Sequence, residues 1–341
     1  MESPSFLINR FCMSDSPITA TVDLDQNGLQ HGFLKLPYSH DGSAWGHVMI
    51  PITVVRNGDG PTVLLTGGNH GDEYEGITAL LKLANRLTPE QISGRVIILP
   101  MLNHPAVLNG TRTSPLDGGN LNRCFPGNPA GTLTEKLADY LTRYLVPISD
   151  VVLDIHSGGQ TLDLLPFAAT HRMADKDFEA RCLAGAAAFG APYTLYMAEL
   201  EGEVLFDSAV EKQGKVFIST ELRGGGTTTP ETLDIAERGI DNVLRYAGVL
   251  PGEVETLPSQ ALEIPDGDAY RVSEHAGILE FAVALGDWVK EGQVIARIHD
   301  LHRTGEPPKT YRAPYDAMLI GRRHPALVNV GDTFAVLAVP R

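Results

Sequence analysis

His70 and Glu73 lie three residues apart in Thr66-Gly67-Gly68-Asn69-His70-Gly71-Asp72-Glu73-Tyr74-Glu75-Gly76, a glycine-rich polar turn. An imidazole and a carboxylate at that spacing fall on one side of a helical turn and can share a metal ion. The same two side chains also suit a merely solvated turn, so the pair alone decides nothing. Its context narrows the choice. Pro61 to Leu65 is a short apolar run that reads as a buried strand, and Ile77 to Leu87 carries apolar residues at helical spacing. The pair stands where a strand hands over to a helix, the end of an open α/β sheet at which ligands bind.

Two more apolar strands end on side chains that do chemistry. Val151-Val152-Leu153-Asp154-Ile155 runs into His156, and Lys215-Val216-Phe217-Ile218-Ser219-Thr220 runs into Glu221. A lone histidine at such a place is more often a hydrogen-bonded core residue. Beside His70 and Glu73 it makes a His/Glu/His set, and three protein ligands with one open position is the usual catalytic zinc arrangement. Glu221, at an equivalent strand end, could be the general base that hydrolytic zinc chemistry needs.

Between these strands, residues 103–131 are rich in Gly, Pro, Asn and Thr and show no regular period. A loop that long inside a compact domain is usually functional. Its Arg112 and Arg123 are candidates for binding an anion or a carboxylate, or are two solvated surface arginines. Glu199, Glu201 and Glu203, with Asp207, form an acidic cluster. It reads as a solvated face or as a wall that receives a cationic substrate group. Cys124, next to Arg123, has no histidine placed by sequence to activate it and reads as a packed thiol.

The elements that must position these residues alternate between apolar strands and amphipathic helices, which predicts an α/β fold with a mostly parallel or mixed sheet. Gly94 to Pro100 is a further strand; Thr134 to Leu145, Asp175 to Phe189 and Pro230 to Ala247 are helices, the first with Asp139 facing outward. Residues 1–30 read as an arm and a strand leading into a hairpin. Residues 1–250 form one domain, 251–265 a linker, and 266–341 a smaller β-rich domain. In the last, Val289-Lys290-Glu291-Gly292-Gln293 recurs as Val328-Asn329-Val330-Gly331-Asp332, which suggests two pseudo-symmetric halves of short strands.

Bulk composition agrees with a globular chain: 341 residues, 43% hydrophobic and 20% charged. A formal net charge of -15 argues against nucleic acid and anionic membrane surfaces as partners. No apolar run is long enough for a transmembrane helix. The start of the chain lacks a secretory pattern, and three scattered cysteines suit a reducing, cytoplasmic compartment. A homo-oligomer is compatible with everything above.

His70-x-x-Glu73, Asn120-Leu121-Asn122-Arg123, His156 after its apolar strand, and Glu221 together resemble the succinylglutamate desuccinylase and aspartoacylase family, within the zinc carboxypeptidase-like superfamily. The resemblance covers roughly residues 45–250. It implies a mixed sheet flanked by helices, one Zn2+ bound by His70, Glu73 and His156, and Glu221 as general base and acid. It places Arg112 where the family polarises the scissile carbonyl, and Asn122 with Arg123 where it holds the substrate carboxylate. The substrate class it implies is a small N-acylated amino acid. It also implies a carboxy-terminal β domain beside the site, here resembling a biotinyl/lipoyl-type barrel-sandwich. Lys309, inside Pro307-Pro308-Lys309-Thr310, is not in an attachment hairpin, so the domain reads as architectural. No further arginine clearly matches the extra carboxylate of aspartoacylase and desuccinylase substrates, which points to an acyl group or side chain without that charge. The rivals are a zinc carboxypeptidase acting on peptides and a binding module that has lost its chemistry.

Overall fold

The computed structural model describes residues 16–197 and 204–341. Glu199, Glu201 and Glu203 lie outside the described residues. At the centre are three neighbouring parallel strands, Thr62–Gly67, Val151–His156 and Val216–Glu221. The first two are buried along their whole length and the third along most of it. That accounts for their near-continuous apolar sequences, since helices cover both faces of such a sheet. Parallel pairing also puts all three carboxyl ends on one edge. Glu221 is the register partner of His156, and Gly67, leading into the His70 turn, pairs with Ile155.

The hairpin Gly28–Pro37 with His47–Asn57 extends the sheet on one side through Gly94–Leu99. Phe167–His171, antiparallel to Val216–Glu221, and Tyr193–Met197 extend it on the other. Helices Tyr74–Arg86, Lys176–Phe189 and Pro230–Tyr246 cover one face over a core that includes Leu80, Leu83, Phe189 and Ile240. Tyr74–Arg86 buries Ile77, Leu80, Leu83 and Ala84 and exposes Lys82, Asn85 and Arg86, the amphipathic spacing of a helix lying on a sheet. Leu133–Tyr140 and Phe206–Glu211 cover the opposite face. Asp139 faces inward, contrary to the sequence expectation: its carboxylate is buried and takes two hydrogen bonds from Arg143, at 2.7 and 2.6 Å. That bidentate pairing offsets the cost of burial. Residues 103–131 are not wholly irregular, since they hold the short helix His104–Asn109 and a 3-10 turn at Leu121–Arg123.

The sheet does not stop at Tyr193–Met197. Gln260–Glu263 pairs parallel with Tyr193–Met197 and antiparallel with Thr333–Pro340 of the carboxy-terminal β domain. One sheet, fifteen-stranded among the described residues, therefore runs through both. The internal repeat is visible as an exchange: Trp288–Val289 pairs with Ala317–Arg323, while Leu327–Val328 pairs with Gly277–Phe281. Each half supplies a short strand to the other, around a core of Leu279, Ile295, Leu319, Phe334 and Leu337. Among the described residues no helix is long and apolar enough to cross a membrane.

Candidate metal centre and active site

The turn after Thr62–Gly67 folds tightly because its glycines permit it. Gly68 has φ 64°, a left-handed conformation that costs a glycine little. A Cβ on Gly71 would sit 2.0 Å from the Ala106 carbonyl carbon, so only glycine lets the turn lie against the 103–110 segment. The Gly71 N–H donates to the Thr111 carbonyl at 2.9 Å. This seats His70 and Glu73 against the end of the Val151–His156 strand.

His70, Glu73 and His156 are all buried, with ligand atoms within 4.8 Å of one another. Nδ1 of His70 lies 2.6 Å from Glu73 Oε1, and Nδ1 of His156 lies 2.9 Å from Glu73 Oε2. The far nitrogens are occupied. Nε2 of His70 donates to Asn120 Oδ1 at 3.2 Å, and Nε2 of His156 donates to Asp154 Oδ2 at 2.7 Å. Asp154 in turn accepts from Thr66 Oγ1 at 2.6 Å and from Asn69 Nδ2 at 2.9 Å. Each ring is thereby fixed with Nδ1 toward the carboxylate, the orientation that ligand histidines take when an outer partner holds the other nitrogen.

Charges follow from this packing. Burial disfavours charge on His156, but the carboxylates of Asp154 and Glu73 outweigh it and hold its pKa well above the ordinary value. Burial dominates at His70 and lowers its pKa despite Glu73. Glu73 resists its own burial because two histidines face it, and its pKa is lowered. A neutral His70 that gives its Nε2 proton to Asn120 points a lone pair from Nδ1 at a carboxylate oxygen. Two acceptors facing each other call for a cation between them, so the donor set fits a divalent metal with imidazole and carboxylate ligands. Arg112 Nη1 supplies some positive charge, 3.3 Å from His70 Nδ1 and 3.4 Å from Glu73 Oε1.

Glu221 faces the same space. Its Oε2 is enclosed with no partner among the described residues. Burial, and then the charge of Glu73, push the carboxyl up to about 8. His70, His156, Arg112, Asn122, Arg123 and Glu221 line one cavity of about 440 Å³. Asn122 Oδ1 accepts from the Phe206 N–H at 3.3 Å, which fixes the loop against helix Phe206–Glu211. Phe125 stacks on Phe206 with ring centroids 4.5 Å apart. That helix brings Asp207 to the cavity wall, with Oδ2 3.5 Å from His171 Nε2. Ile320, Thr333 and Val336 of the β domain also line the cavity.

Sequence reasoning assigns no role to Asp154, Asn120 or Asn69, although Asn120 stands in the Asn120-Leu121-Asn122-Arg123 motif. Asp154 carried a legible signal, since a carboxylate two residues before His156 on one strand shares its face and a buried one needs a partner. Asp72 holds the next turn by accepting from the Gln160 N–H at 2.9 Å. Cys124 donates to the Asn120 carbonyl, and burial raises its pKa. Replacing Asp154 with asparagine frees His156 from its charged anchor and lowers metal affinity by about 10–100-fold, measurable by competition with a coloured chelator.

A model of the succinylglutamate desuccinylase/aspartoacylase catalytic domain matches residues 59–247. The chain belongs to the succinylglutamate desuccinylase/aspartoacylase family. With that catalytic domain and the chelating cluster, this member of the desuccinylase/aspartoacylase family is a metal-dependent amide hydrolase. It is 62% identical over 325 residues to the N-alpha-acetyl-L-2,4-diaminobutyric acid deacetylase of Halomonas elongata, covering 95% of each chain. The product-bound structure of the ectoine utilization protein EutE (DoeB) from Ruegeria pomeroyi superimposes with a TM-score of 0.93. It is 50% identical and the match covers 95% of this chain and 99% of that one. A succinylglutamate desuccinylase structure from Silicibacter sp. TM1040 gives a TM-score of 0.93 at 52% identity, over 96% of this chain and 100% of that one.

Proposed function

We propose that the chain deacetylates N-alpha-acetyl-L-2,4-diaminobutyrate, releasing acetate and L-2,4-diaminobutyrate, with one Zn2+ per chain held by His70, Glu73 and His156. One juxtaposition carries the chemistry: the Glu221 carboxylate, its Oε2 unpartnered among the described residues, in the cavity that His70 and His156 of the cluster line. When bound, the ion supplies Lewis acidity toward the attacking water and the acyl oxygen. Glu221 takes a proton from that water and returns it to the departing amine nitrogen as the C–N bond breaks. Arg112 stabilises the negative charge that develops on the carbonyl oxygen. Asn122 and Arg123 hold the α-carboxylate and thereby orient the amide.

The substrate assignment follows the 62% identical deacetylase and the charge layout of the cavity. Among the described residues its arginines are Arg112 and Arg123, and it has no lysine. Both arginines are engaged by this scheme, so a succinyl or aspartyl carboxylate meets no further arginine or lysine among the described lining residues. Asp207 supplies the opposite charge for a side-chain ammonium, with Glu211 Oε1 3.4 Å from His171 Nδ1 behind it. Glu199, Glu201 and Glu203, close to Asp207 in the chain, belong to the same acidic assignment. The division into residues 1–250, 251–265 and 266–341, with the last part an architectural module of biotinyl/lipoyl type, is part of this reading. So is a reducing, cytoplasmic location, which suits the free Cys124 and Cys182.

Acetate and succinate release from a panel of N-acyl amino acids tests the reading. Acetyl-diaminobutyrate should be the best substrate, and a preference for succinyl- or aspartyl-type substrates would overturn it. Asp207→Asn should lower kcat/KM for acetyl-diaminobutyrate by about tenfold or more, the loss expected when one partner of an enclosed charge pair is removed. Acetyl-norvaline, which lacks the ammonium, should be hydrolysed by Asp207→Asn as by wild type. Equal losses on both substrates would remove Asp207 from the side-chain site.

A further inference from the structure

Glu221 lacks a hydrogen-bond donor at Oε2, so its placement falls to the backbone that carries it. That backbone is unusual. Arg223, Gly224, Gly225 and Gly226 all have positive φ, at 64°, 144°, 75° and 65°. Arg223 is the one residue other than glycine with positive φ among those described, a conformation that needs outside support.

The support begins beside the turn and reaches into the other domain. Arg223 Nε lies 3.1 Å from Asp163 Oδ1, and its Nη2 lies 3.4 Å from Oδ2. Arg322 binds the same carboxylate, with Nη2 at 3.1 Å and Nε at 3.3 Å from Oδ2. Arg322 belongs to the β domain strand Ala317–Arg323, and Asp163 to the short strand Leu162–Leu164, where the two are register partners. Main-chain bonds make the connection stiff. The Arg223 carbonyl accepts from Gly158 N–H at 2.8 Å, and Gly225 N–H donates to the Leu162 carbonyl at 3.0 Å. Leu222 N–H donates to the His156 carbonyl at 3.0 Å. Asp163 is nearly buried between its two arginines, so losing one leaves an enclosed charge half-paired.

We propose that Arg322, from the carboxy-terminal β domain, is a positioning residue that holds Glu221 in place through Asp163 and Arg223. The inference rests on Glu221 being the general base. It gives the β domain a part in catalysis beyond walling the cavity: seating the domain sets the turn that carries the base. Arg323, the next residue, pairs with Asp332 at 3.1 Å inside the β domain and serves as a control.

The test compares Arg322→Gln, Arg322→Lys and Arg323→Gln in the metal-loaded full chain, each also in a Glu221→Gln background. Arg322→Gln should lower kcat about tenfold with KM within about twofold, the pattern of an interaction felt in the transition state. Arg322→Lys, which keeps the charge but loses the fork, should fall between Arg322→Gln and wild type. Arg323→Gln should keep wild-type kcat. In the Glu221→Gln background Arg322→Gln should cost nothing further, because its route to the chemistry is already gone. The same tenfold loss in that background would overturn the proposal, as would wild-type kcat in Arg322→Gln or an equal loss in Arg323→Gln. Full activity in Glu221→Gln alone would instead overturn the assignment of the base, and the proposal with it.

Discussion

Replacing Glu221 with glutamine lowers kcat by about 10²–10⁴-fold, the range over which a positioned general acid–base group acts, while metal content stays at the wild-type level. The metal is retained because the atoms that can chelate it belong to His70, Glu73 and His156. KM changes little if Asn122 and Arg123 hold the substrate carboxylate as proposed, because the substitution leaves both in place. The fold should tolerate the amide for a physical reason. Burial, and then Glu73, raise the Glu221 carboxyl from 4.5 to about 8. The metal-free fold therefore favours the protonated form, and that stabilisation is lost as pH rises from about 4.5 toward about 8. Glutamine has no such loss, so metal-free Glu221→Gln should melt higher than metal-free wild type near pH 8. A cation at the cluster acts in the opposite sense and draws Glu221 toward its ionised form, so the base becomes competent where the metal sits. Turnover, metal analysis and melting of the same preparation check all three statements. Loss of metal in Glu221→Gln would reassign the residue as a ligand.

Much of this was legible in the sequence because the site is built at strand ends. His70, Glu73, His156 and Glu221 each follow an apolar run, and the parallel register that brings them together is what alternating strands and helices produce. The outer partners were harder to read. Asp154 had a local signal in its spacing from His156, but Asn120 meets His70 only through tertiary folding, fifty positions along the chain. The contact between Asp163 and Arg322 spans 159 positions, with two ordinary surface-type residues at its ends. Nothing local marks such a pair, because its cause is the strand pairing between the two halves. Gln260–Glu263 is similar: a four-residue strand inside a stretch that reads as a connector, specified by the neighbours on either side.

In a Glu221→Gln background, which removes the proton that Glu221 gives up when a cation draws it toward its ionised form, zinc binding to the metal-free chain should release about one proton, and affinity should fall about tenfold for each pH unit below the pKa of His156. The count comes from the three ligands. Glu73 is already ionised, since its pKa is lowered despite its burial. His70 is already neutral, because burial outweighs Glu73. Among the three, His156 alone carries a displaceable proton, since Asp154 and Glu73 overcome its burial and raise its pKa. In the metal-free protein the charged ring contributes stability that is full below the unfolded value of about 6.5. That contribution is lost as pH rises through the folded value, so chelator-treated protein should lose stability over the same window in which metal binding strengthens. Calorimetric titration in buffers of different ionisation enthalpy measures the proton count. Asp154→Asn supplies the internal check. Without the Asp154 charge the His156 pKa drops, so the released fraction at neutral pH should fall well below one even as affinity weakens. A count of zero with Asp154 in place in that background would mean that Asp154 and Glu73 do not hold His156 charged. A count unchanged in Asp154→Asn would assign that charge to Glu73 alone.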